Sequence, residues 1–324
     1  QRQMCIRDSL TATIVLVTIL QKVIKDRETR LWFAGLIIIN ANAGGAWSPI
    51  GDVTTTMLWI ADKVSASQLV INVLIPSIIC MVVPTLIAQN FKAFKGEILT
   101  EIEDIEKPKS KFGPVMLYLG LGSIVFVPFF KTITHLPPYV GMMLSLAVVA
   151  AFAEIYSSSK ISITTVDGES DAASHHSPVH KSLSKIELPS ILFFLGILLA
   201  VAALESLGYL FHYAESLNQA IPNTDIVVML LGIGSAVIDN VPLVAASMGM
   251  FSQPMDSPLW HFIAYSAGTG GSMLIIGSAA GVVAMGMEKI DFFWYLRKIT
   301  FLAFAGFLAG AIVFILLRDF VIYA

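Results

Sequence analysis

Long apolar runs, separated by short polar segments that hold nearly all of the charge, constrain the fold of this chain more than any other feature. A helix needs about 20 apolar residues to cross the hydrocarbon core of a bilayer. Charged residues make up only 13% of the chain, whereas soluble domains carry roughly 25%. The pattern therefore predicts an all-α polytopic membrane protein. Uninterrupted runs of sufficient length lie at 69–89, 113–130, 137–156, 188–213 and 292–318.

Several classes of protein are excluded by composition. Cys5 and Cys80 are too few for a disulfide framework, and no cysteine–histidine spacing is typical of a zinc site. No basic face interleaved with aromatic residues indicates nucleic-acid binding. We predict a protein that is not an enzyme, has no cofactor and has the lipid bilayer as its main partner. Homo-oligomerisation stays open.

Two further apolar runs, 31–61 and 259–287, are interrupted by glycine and polar residues. A broken helix with a carboxylate at bilayer depth is tolerated only where it lines a cavity or packs against protein. Such segments mark ion or substrate sites in secondary transporters. The residues predicted to break the helices are Gly44, Gly45, Pro49 and Gly51 in the first run, and Gly270, Gly271 and Gly277 in the second.

The distribution of lysine and arginine predicts the orientation, because cytoplasmic loops are enriched in them. Taking the basic segments 21–30, 91–111 and 157–187 as cytoplasmic gives strict alternation as far as residue 188. The run 225–251 has Asp239-Asn240 in its middle and no lysine or arginine on either flank. A single crossing there would place Lys289, Arg297 and Lys298 outside. A re-entrant hairpin that turns near 238–242 keeps them inside, and we favour the hairpin.

An internal repeat is indicated by two nine-residue segments. AGGAWSPIG at 43–51 and TGGSMLIIG at 269–277 share Gly-Gly and then Ile-Gly at the same offset. Upstream, Asp8-Ser9 precedes an apolar run, as Asp239-Asn240 does. The predicted orientations of the two broken helices are opposite, so the two units would form inverted repeats with a site at their interface.

The organisation follows from the repeat. With no initiator methionine and a polar stretch at 1–8, we interpret the chain as N-terminally truncated, with the run 10–24 as the exit arm of a first hairpin. The predicted parts are a first-repeat remainder at 1–90 (hairpin arm, broken helix 31–61, helix 69–89), a cytoplasmic linker at 91–112, two connecting transmembrane helices at 113–156, a flexible cytoplasmic loop at 157–187, and a second repeat at 188–324 (helix, hairpin 225–251, broken helix 259–287, final helix).

Three segments resemble the NhaD-type sodium/proton antiporters of the ion transporter superfamily: ANAGGAWSPIGDVTTT at 41–56, SAVIDN at 235–240 and SAGTGGS at 266–272. The resemblance implies re-entrant hairpins paired with broken helices, exchange of Na⁺ or Li⁺ for H⁺, a role in pH homeostasis and a place in the cell (inner) membrane. Where the family pattern has Asp-Asn, this chain has Asp8-Ser9. The residues to which the resemblance assigns roles in cation transport are Asp52, Thr54, Thr55, Ser235, Asp239, Asn240 and Ser272.

The chemistry of these residues suits a hard cation, which takes oxygen ligands. Desolvation favours the protonated form of a carboxylate, and a nearby cation favours the ionised form. Each aspartate would therefore hold either a proton or a sodium ion, which is the physical basis of exchange. The predicted ligand sets are Asp52 with Thr54, Thr55 and Asn42, and Asp239 with Asn240, Ser235 and Ser272.

Other interpretations remain open at this point. Asp52 follows Gly51 and precedes Val-Thr-Thr-Thr, so it is also a good helix N-cap, and Asp239 is also a plausible polar hairpin tip. A sodium-coupled carboxylate transporter on the same scaffold would need cationic or amide donors, and the broken segments contain no lysine or arginine. A more remote alternative is an intramembrane aspartyl protease, with Asp52 and Asp239 as its two carboxylates.

Overall fold

The computed structural model describes residues 2–91, 94, 113–134, 136–164 and 223–322, with isolated positions between 192 and 221. No strand occurs among these residues, in agreement with the predicted all-α class. Three segments are long and apolar enough to cross a membrane: Ala66–Ala88, Val115–Thr134 and Thr300–Phe320. The protein is therefore an integral membrane protein. Its helices are α1 Arg2–Val23, α2 Arg27–Ala46, α3 Val53–Ile60, α4 Ala66–Ala88, α5 Gly113–Thr134, α6 Pro138–Thr164, α7 Thr224–Gly234, α8 Asn240–Met250, α9 Pro258–Gly270, α10 Ala279–Glu288, α11 Phe292–Lys298 and α12 Thr300–Leu317, followed by a π-helical turn at Arg318–Ile322.

The chain divides into two compact units, Gln1–Glu103 with Phe193–Ala324, and Asp104–Leu192. The second contains α5 and α6, where the Ser145 hydroxyl donates to the Ser123 carbonyl at 3.0 Å. Helix α6 continues to Thr164, into the segment predicted as a flexible loop at 157–187. The rest of that loop, and the predicted linker 91–112 apart from residues 91 and 94, lie outside the described residues. The predicted helix 188–213 is represented only by isolated positions.

Close packing of α4 against α12 forms the core of the first unit. Gly306 and Gly310 lie one turn apart on α12, and α4 approaches them so closely that a Cβ at Gly306 would be 2.6 Å from the Cys80 carbonyl oxygen. Small residues at this spacing let helix backbones approach in a membrane, where van der Waals packing drives association. The Tyr265 hydroxyl of α9 donates to the Phe307 carbonyl at 2.8 Å, and so fixes α9 to the same pair.

The first predicted broken helix is present, with its break later than expected. Helix α2 runs through Gly44 and Gly45 to Ala46, and α3 begins at Val53. Glycine permits a change of direction but does not force one, and Pro49 and Gly51 define the break instead. A Cβ at Gly51 would lie 2.5 Å from the Gly45 carbonyl oxygen, whereas one at Gly44 would meet nothing within 4 Å. We call residues 47–52 break 1.

The second broken helix is interrupted between α9 and α10. Helix α9 includes Gly270, and residues 271–278, here called break 2, separate it from α10. Gly271 and Gly277 face each other across this break, since a Cβ at Gly277 would lie 2.8 Å from the Gly271 carbonyl oxygen. The predicted breaking positions Gly271 and Gly277 therefore lie in the break itself, while Gly270 is the last residue of α9.

The two broken helices are antiparallel. At one end, Arg30 at the start of α2 forms an ion pair of 3.1 Å with Glu288 at the end of α10. At the other end, the Ser65 amide beyond α3 donates to Asp256 Oδ1 at 2.7 Å, just before α9 begins. Contacts at both ends require opposite chain directions. We call the side of Arg30 and Glu288 the inner side and that of Ser65 and Asp256 the outer side.

Helices α7 and α8 form a hairpin. Val228 and Leu231 of α7 line the same small cavity as Val244 and Ser247 of α8, which requires the two arms to fold back on each other. The turn occupies 235–239, slightly earlier than the predicted 238–242.

Both ends of this hairpin lie on the outer side. Its start is held by Arg318, whose guanidinium donates to both Asp225 oxygens at 2.6 and 2.9 Å. Arg318 follows α12, which runs toward the outer side, because Gly306 packs on Pro84 near the end of α4 and Gly310 packs on Pro76, nearer the outer start of α4. The other end of the hairpin, Met250, is six residues from Asp256. The hairpin therefore begins and ends on one side in the structure.

The final apolar run was predicted as one helix at 292–318 and is instead split at Ile299 into α11 and α12. Ile299 is fully buried and packs onto Gly35 of α2, where a Cβ would lie 2.5 Å from its Cδ1. The Thr300 hydroxyl donates to the Met273 carbonyl at 2.6 Å. These contacts place the start of α12 against break 2.

Candidate ion-binding site at the helix breaks

Asp52 is the last residue of break 1 and the N-cap of α3. Its Oδ1 accepts from the Val53 amide at 2.8 Å, and its Oδ2 accepts from the Thr54 hydroxyl at 2.6 Å. Helix N-termini favour negative charge because their first amides lack partners within the helix. The capping interpretation of Asp52 is therefore correct, and it leaves the carboxylate half-buried at the end of unwound backbone.

Thr55 and Thr56 hold the backbone of break 1 in place. The Thr55 hydroxyl accepts from the Asp52 amide at 3.3 Å and donates to the Asp52 carbonyl at 2.9 Å. The Thr56 hydroxyl donates to the Pro49 carbonyl at 2.9 Å. Both threonines are buried. Thr54, in contrast, reaches the carboxylate itself, so the three consecutive threonines have different tasks.

The hairpin tip reaches the same carboxylate. Asn240 is the first residue of α8 and is 7% exposed, and its Nδ2 donates to Asp52 Oδ2 at 3.0 Å. The sequence predicted Asp52 and Asn240 in two separate ligand sets. In the structure the two side chains contact each other and form one group. The contact joins break 1 to the hairpin turn.

Asp239 differs from the expectation that both aspartates lie in a dry pocket. It is exposed, as are Val237 and Ile238 before it, because the chain turns Asn240 inward at the start of α8. The next residue, Asn240, contacts the Asp52 carboxylate, so Asp239 lies one residue away from that contact. The site therefore combines a half-buried carboxylate with an exposed neighbour of the same sign.

A second contact links the two breaks. Asn42, in the last turns of α2, donates from Nδ2 to Ser278 Oγ at 2.9 Å. Ser278 ends break 2 and caps α10 by accepting from the Gly281 amide at 3.2 Å. Sequence reasoning predicted Asn42 as a ligand and missed Ser278. Ser278 follows Gly277 as Asp52 follows Gly51, so the alignment of the two repeats could have identified it.

Ser235 and Ser272 are buried and bonded to backbone rather than to Asp52. The Ser235 hydroxyl donates to the Gly232 carbonyl at 2.7 Å, and the Ser272 hydroxyl donates to the Thr269 carbonyl at 2.7 Å. Hydroxyls keep acceptor capacity when they donate, so these bonds leave the predicted roles untested. In the structure Ser235 packs the hairpin turn against α9, since a Cβ at Gly270 would lie 2.6 Å from Ser235 Oγ.

The two breaks share their local geometry. Asp52 has φ −142° and ψ 158°, and Ser278 has φ −146° and ψ 152°. Residues of the neighbouring helices α11 and α12 hold the backbone of break 2. The Tyr295 hydroxyl donates to the Ser272 carbonyl at 2.7 Å, and the Thr300 hydroxyl donates to the Met273 carbonyl. Equivalent positions thus carry a carboxylate in break 1 and a hydroxyl in break 2.

Comparisons with known proteins place the chain among transporters. The family model described as citrate transporter, CitMHS, matches residues 6–262. Sodium/proton antiporter 1 of Arabidopsis thaliana is 45% identical over 94% of this chain and 52% of its own length. Sodium/proton antiporter 2 of the same plant is 42% identical over 97% of this chain and 73% of its own length.

A bacterial protein extends the comparison. The Na(+)/H(+) antiporter NhaD of Vibrio cholerae is 32% identical over 97% of this chain and 67% of its own length. The chain therefore spans between about half and three quarters of these relatives. No solved structure matches it significantly.

Proposed function

Because the chain belongs to the CitMHS transporter family, and within it to the NhaD-type sodium/proton antiporters, we propose that the protein exchanges Na⁺ or Li⁺ for H⁺ across a membrane. The observation that carries the proposal is the Asp52 carboxylate, placed at a helix break in contact with the tip of a hairpin. Irregular backbone that ends in a carboxylate inside a membrane domain is typical of ion pathways.

Competition between a proton and a cation is the proposed basis of exchange. Asp239 directly precedes Asn240, which contacts the half-buried Asp52 carboxylate, and repulsion between neighbouring like charges is relieved by a proton or a cation. The two relieve the same repulsion, so binding of one weakens binding of the other. We assign the remaining oxygen ligands of the cation to the side chains of Thr54, Thr55, Asn42 and Asn240.

Alternating access is the second part of the proposal. The Asp52–Asn240 contact joins break 1 to a hairpin whose two ends lie on the outer side. We propose that this contact opens when the site turns from one side to the other, and that Ser235 and Ser272 complete the cation site in one of these states. Antiparallel broken helices of similar local geometry support an inverted-repeat mechanism. We place the protein in the cell (inner) membrane as a multi-pass transporter.

The decisive experiment uses the full-length protein in everted vesicles of cells that lack their own sodium/proton antiporters. A fluorescent pH indicator follows the release of an imposed proton gradient after NaCl or LiCl is added. We expect Na⁺- or Li⁺-driven proton flux that Asp52→Asn removes. A wild-type protein that gives no flux with either salt would contradict the proposed function.

A second candidate is a sodium-coupled carboxylate transporter, which the printed description of the family model favours. Breaks 1 and 2 and the hairpin turn contain no lysine or arginine to neutralise a carboxylate substrate. Uptake of labelled citrate with and without Na⁺ separates the two functions. Sodium-dependent citrate uptake without proton exchange would favour the second.

The intramembrane protease alternative finds no support among the relatives. The family model and the named relatives are transporters or antiporters. We therefore do not extend the proposal to peptide cleavage.

A further inference from the structure

Ser278 lies at the point where the two broken helices touch, and no sequence motif assigns it a role. We propose that Ser278 is a positioning residue of the cation site, which orients the Asn42 amide so that the amide oxygen, not its nitrogen, faces the cation. The inference rests on the proposed function, because it takes Na⁺ as the ion that the site binds.

The contact itself is short and enclosed. Asn42 is 8% exposed and Ser278 is 6% exposed, and the distance from Nδ2 to Oγ is 2.9 Å. A hydrogen bond in such surroundings is costly to leave unmade, since the buried group then lacks both protein and water partners. The orientation of the Asn42 side chain is therefore tied to the presence of an acceptor at residue 278.

Orientation matters because the two ends of an amide have opposite properties. The oxygen is an acceptor that can bind a cation, and the NH₂ group is a donor that repels one. Ser278 Oγ accepts from the NH₂ group, and so leaves Oδ1 as the end available to a ligand. Within the described part of the chain, no donor reaches Asn42 Oδ1 in the structure.

The same arrangement recurs at Asn240. Its NH₂ group donates to Asp52, the N-cap of α3, as that of Asn42 donates to Ser278, the N-cap of α10. In both cases the side-chain oxygen of a helix N-cap binds the amide nitrogen. The N-cap side chains of two helices thus bind the amide nitrogens of two asparagines and leave the amide oxygens available to a ligand. Only one of these N-caps, Asp52, is charged.

Ser278 also caps α10, and a test must separate that structural role from the positioning of Asn42. Ser65 offers a matched control, because it caps α4 by accepting from the Gln68 amide at 3.4 Å. Its side chain takes part in no described hydrogen bond of either break. Ser65→Ala removes a cap of the same kind without touching Asn42.

The experiment measures Na⁺ binding and Na⁺ transport separately on the full-length protein. Binding is read from the Na⁺ dependence of the thermal unfolding midpoint in detergent, because a ligand of the folded state raises that midpoint. Transport is read as the KM for Na⁺ and the maximal rate in vesicles. The variants are Ser278→Ala, Ser278→Thr, Asn42→Ala, the double variant Ser278→Ala/Asn42→Ala, and Ser65→Ala.

We expect Ser278→Ala to weaken Na⁺ binding and raise the KM about tenfold, as loss of one buried hydrogen bond does, with a nearly unchanged maximal rate. Ser278→Thr keeps the hydroxyl and should restore both values. Ser65→Ala should bind and transport like the wild type. The double variant should bind Na⁺ no more weakly than Asn42→Ala, because Ser278 acts through Asn42.

Three results would overturn the inference: wild-type Na⁺ affinity in Ser278→Ala, losses in the double variant that multiply those of the single variants, or no Na⁺ binding by the wild type. If the wild type binds Na⁺ but exchanges no protons, the proposed function fails while the binding series still decides about Ser278. If Ser278→Ala does not fold, Ser278→Cys replaces it, because cysteine is similar in size and its thiol is a weaker hydrogen-bond acceptor. Unchanged Na⁺ affinity in Ser278→Cys would also overturn the inference.

Discussion

Breaks 1 and 2 have the same backbone geometry at their caps and different chemistry. Break 1 ends in Asp52, the threonines of the adjoining α3 hold its backbone, and it touches the hairpin tip through Asn240. Break 2 ends in Ser278, and Tyr295 and Thr300 of neighbouring helices hold its carbonyls. We infer that break 1 carries the charge that changes during transport, and that break 2 is the more rigid support.

Asp52→Asn is the most direct test of the inference that break 1 carries the exchanged charge and break 2 supports it. Asparagine still caps a helix but cannot exchange a proton for a cation, so we expect Na⁺-driven proton flux to fall to background. The thermal unfolding midpoint should stay close to that of the wild type. Substantial flux from a correctly inserted Asp52→Asn protein would show that the exchanged charge lies elsewhere.

Gly51→Ala asks whether the close approach within break 1 is required. The new Cβ would lie 2.5 Å from the Gly45 carbonyl oxygen, and overpacking of this kind costs about 1–3 kcal/mol. We expect a matching loss in the free energy of unfolding and a loss of flux. Gly44→Ala is the control, because a Cβ at Gly44 meets nothing within 4 Å. Equal destabilisation by both would contradict the described position of the break.

Asn240→Ala removes the contact between break 1 and the hairpin. We expect about a tenfold rise in the KM for Na⁺, since one hydrogen bond to a charged group is lost. Asn72→Ala is matched to it, because Asn72 is also buried and donates to the Gln68 carbonyl at 2.7 Å within α4. The comparison fails if Asn72→Ala changes the KM as much as Asn240→Ala does.

Tyr295→Phe addresses break 2 alone and should have the smallest effect on transport. Loss of the hydrogen bond to the Ser272 carbonyl should lower the free energy of unfolding by about 1 kcal/mol, with the KM for Na⁺ within about twofold of wild type. Tyr265→Phe, which loses a bond of similar length to the Phe307 carbonyl, should match it in stability. A large rise in KM from Tyr295→Phe would show that Na⁺ affinity depends on the hydrogen bond that holds break 2, contrary to its role as a support.

Much of this architecture was predictable from the chain alone because membrane insertion imposes simple rules. Apolar length predicts spans, and the distribution of lysine and arginine predicts sides. The hairpin at 225–251 is predicted from the absence of basic residues on its flanks. Gly-Gly and Ile-Gly at equal offsets predict both broken helices, though Gly44 and Gly45 proved to be helical.

Other features depend on contacts that composition does not encode. The split of the last run at Ile299 requires Gly35 of α2 as a packing partner. The exposure of Asp239 follows from the direction in which the hairpin turn presents Asn240. The pairing of Ser278 with Asn42 depends on the contact between α2 and the start of α10.

The sequence by itself determined that this chain is helical, enters a membrane, and breaks two antiparallel helices beside acidic and amide side chains. Those properties depend on local composition, because the bilayer selects for apolar length and for satisfied backbone groups. Only the tertiary structure decided which polar groups meet. Hydrogen bonds between residues as distant in the chain as Asp52 and Asn240, or Asn42 and Ser278, depend on how helices pack, and packing depends on shape summed over many residues.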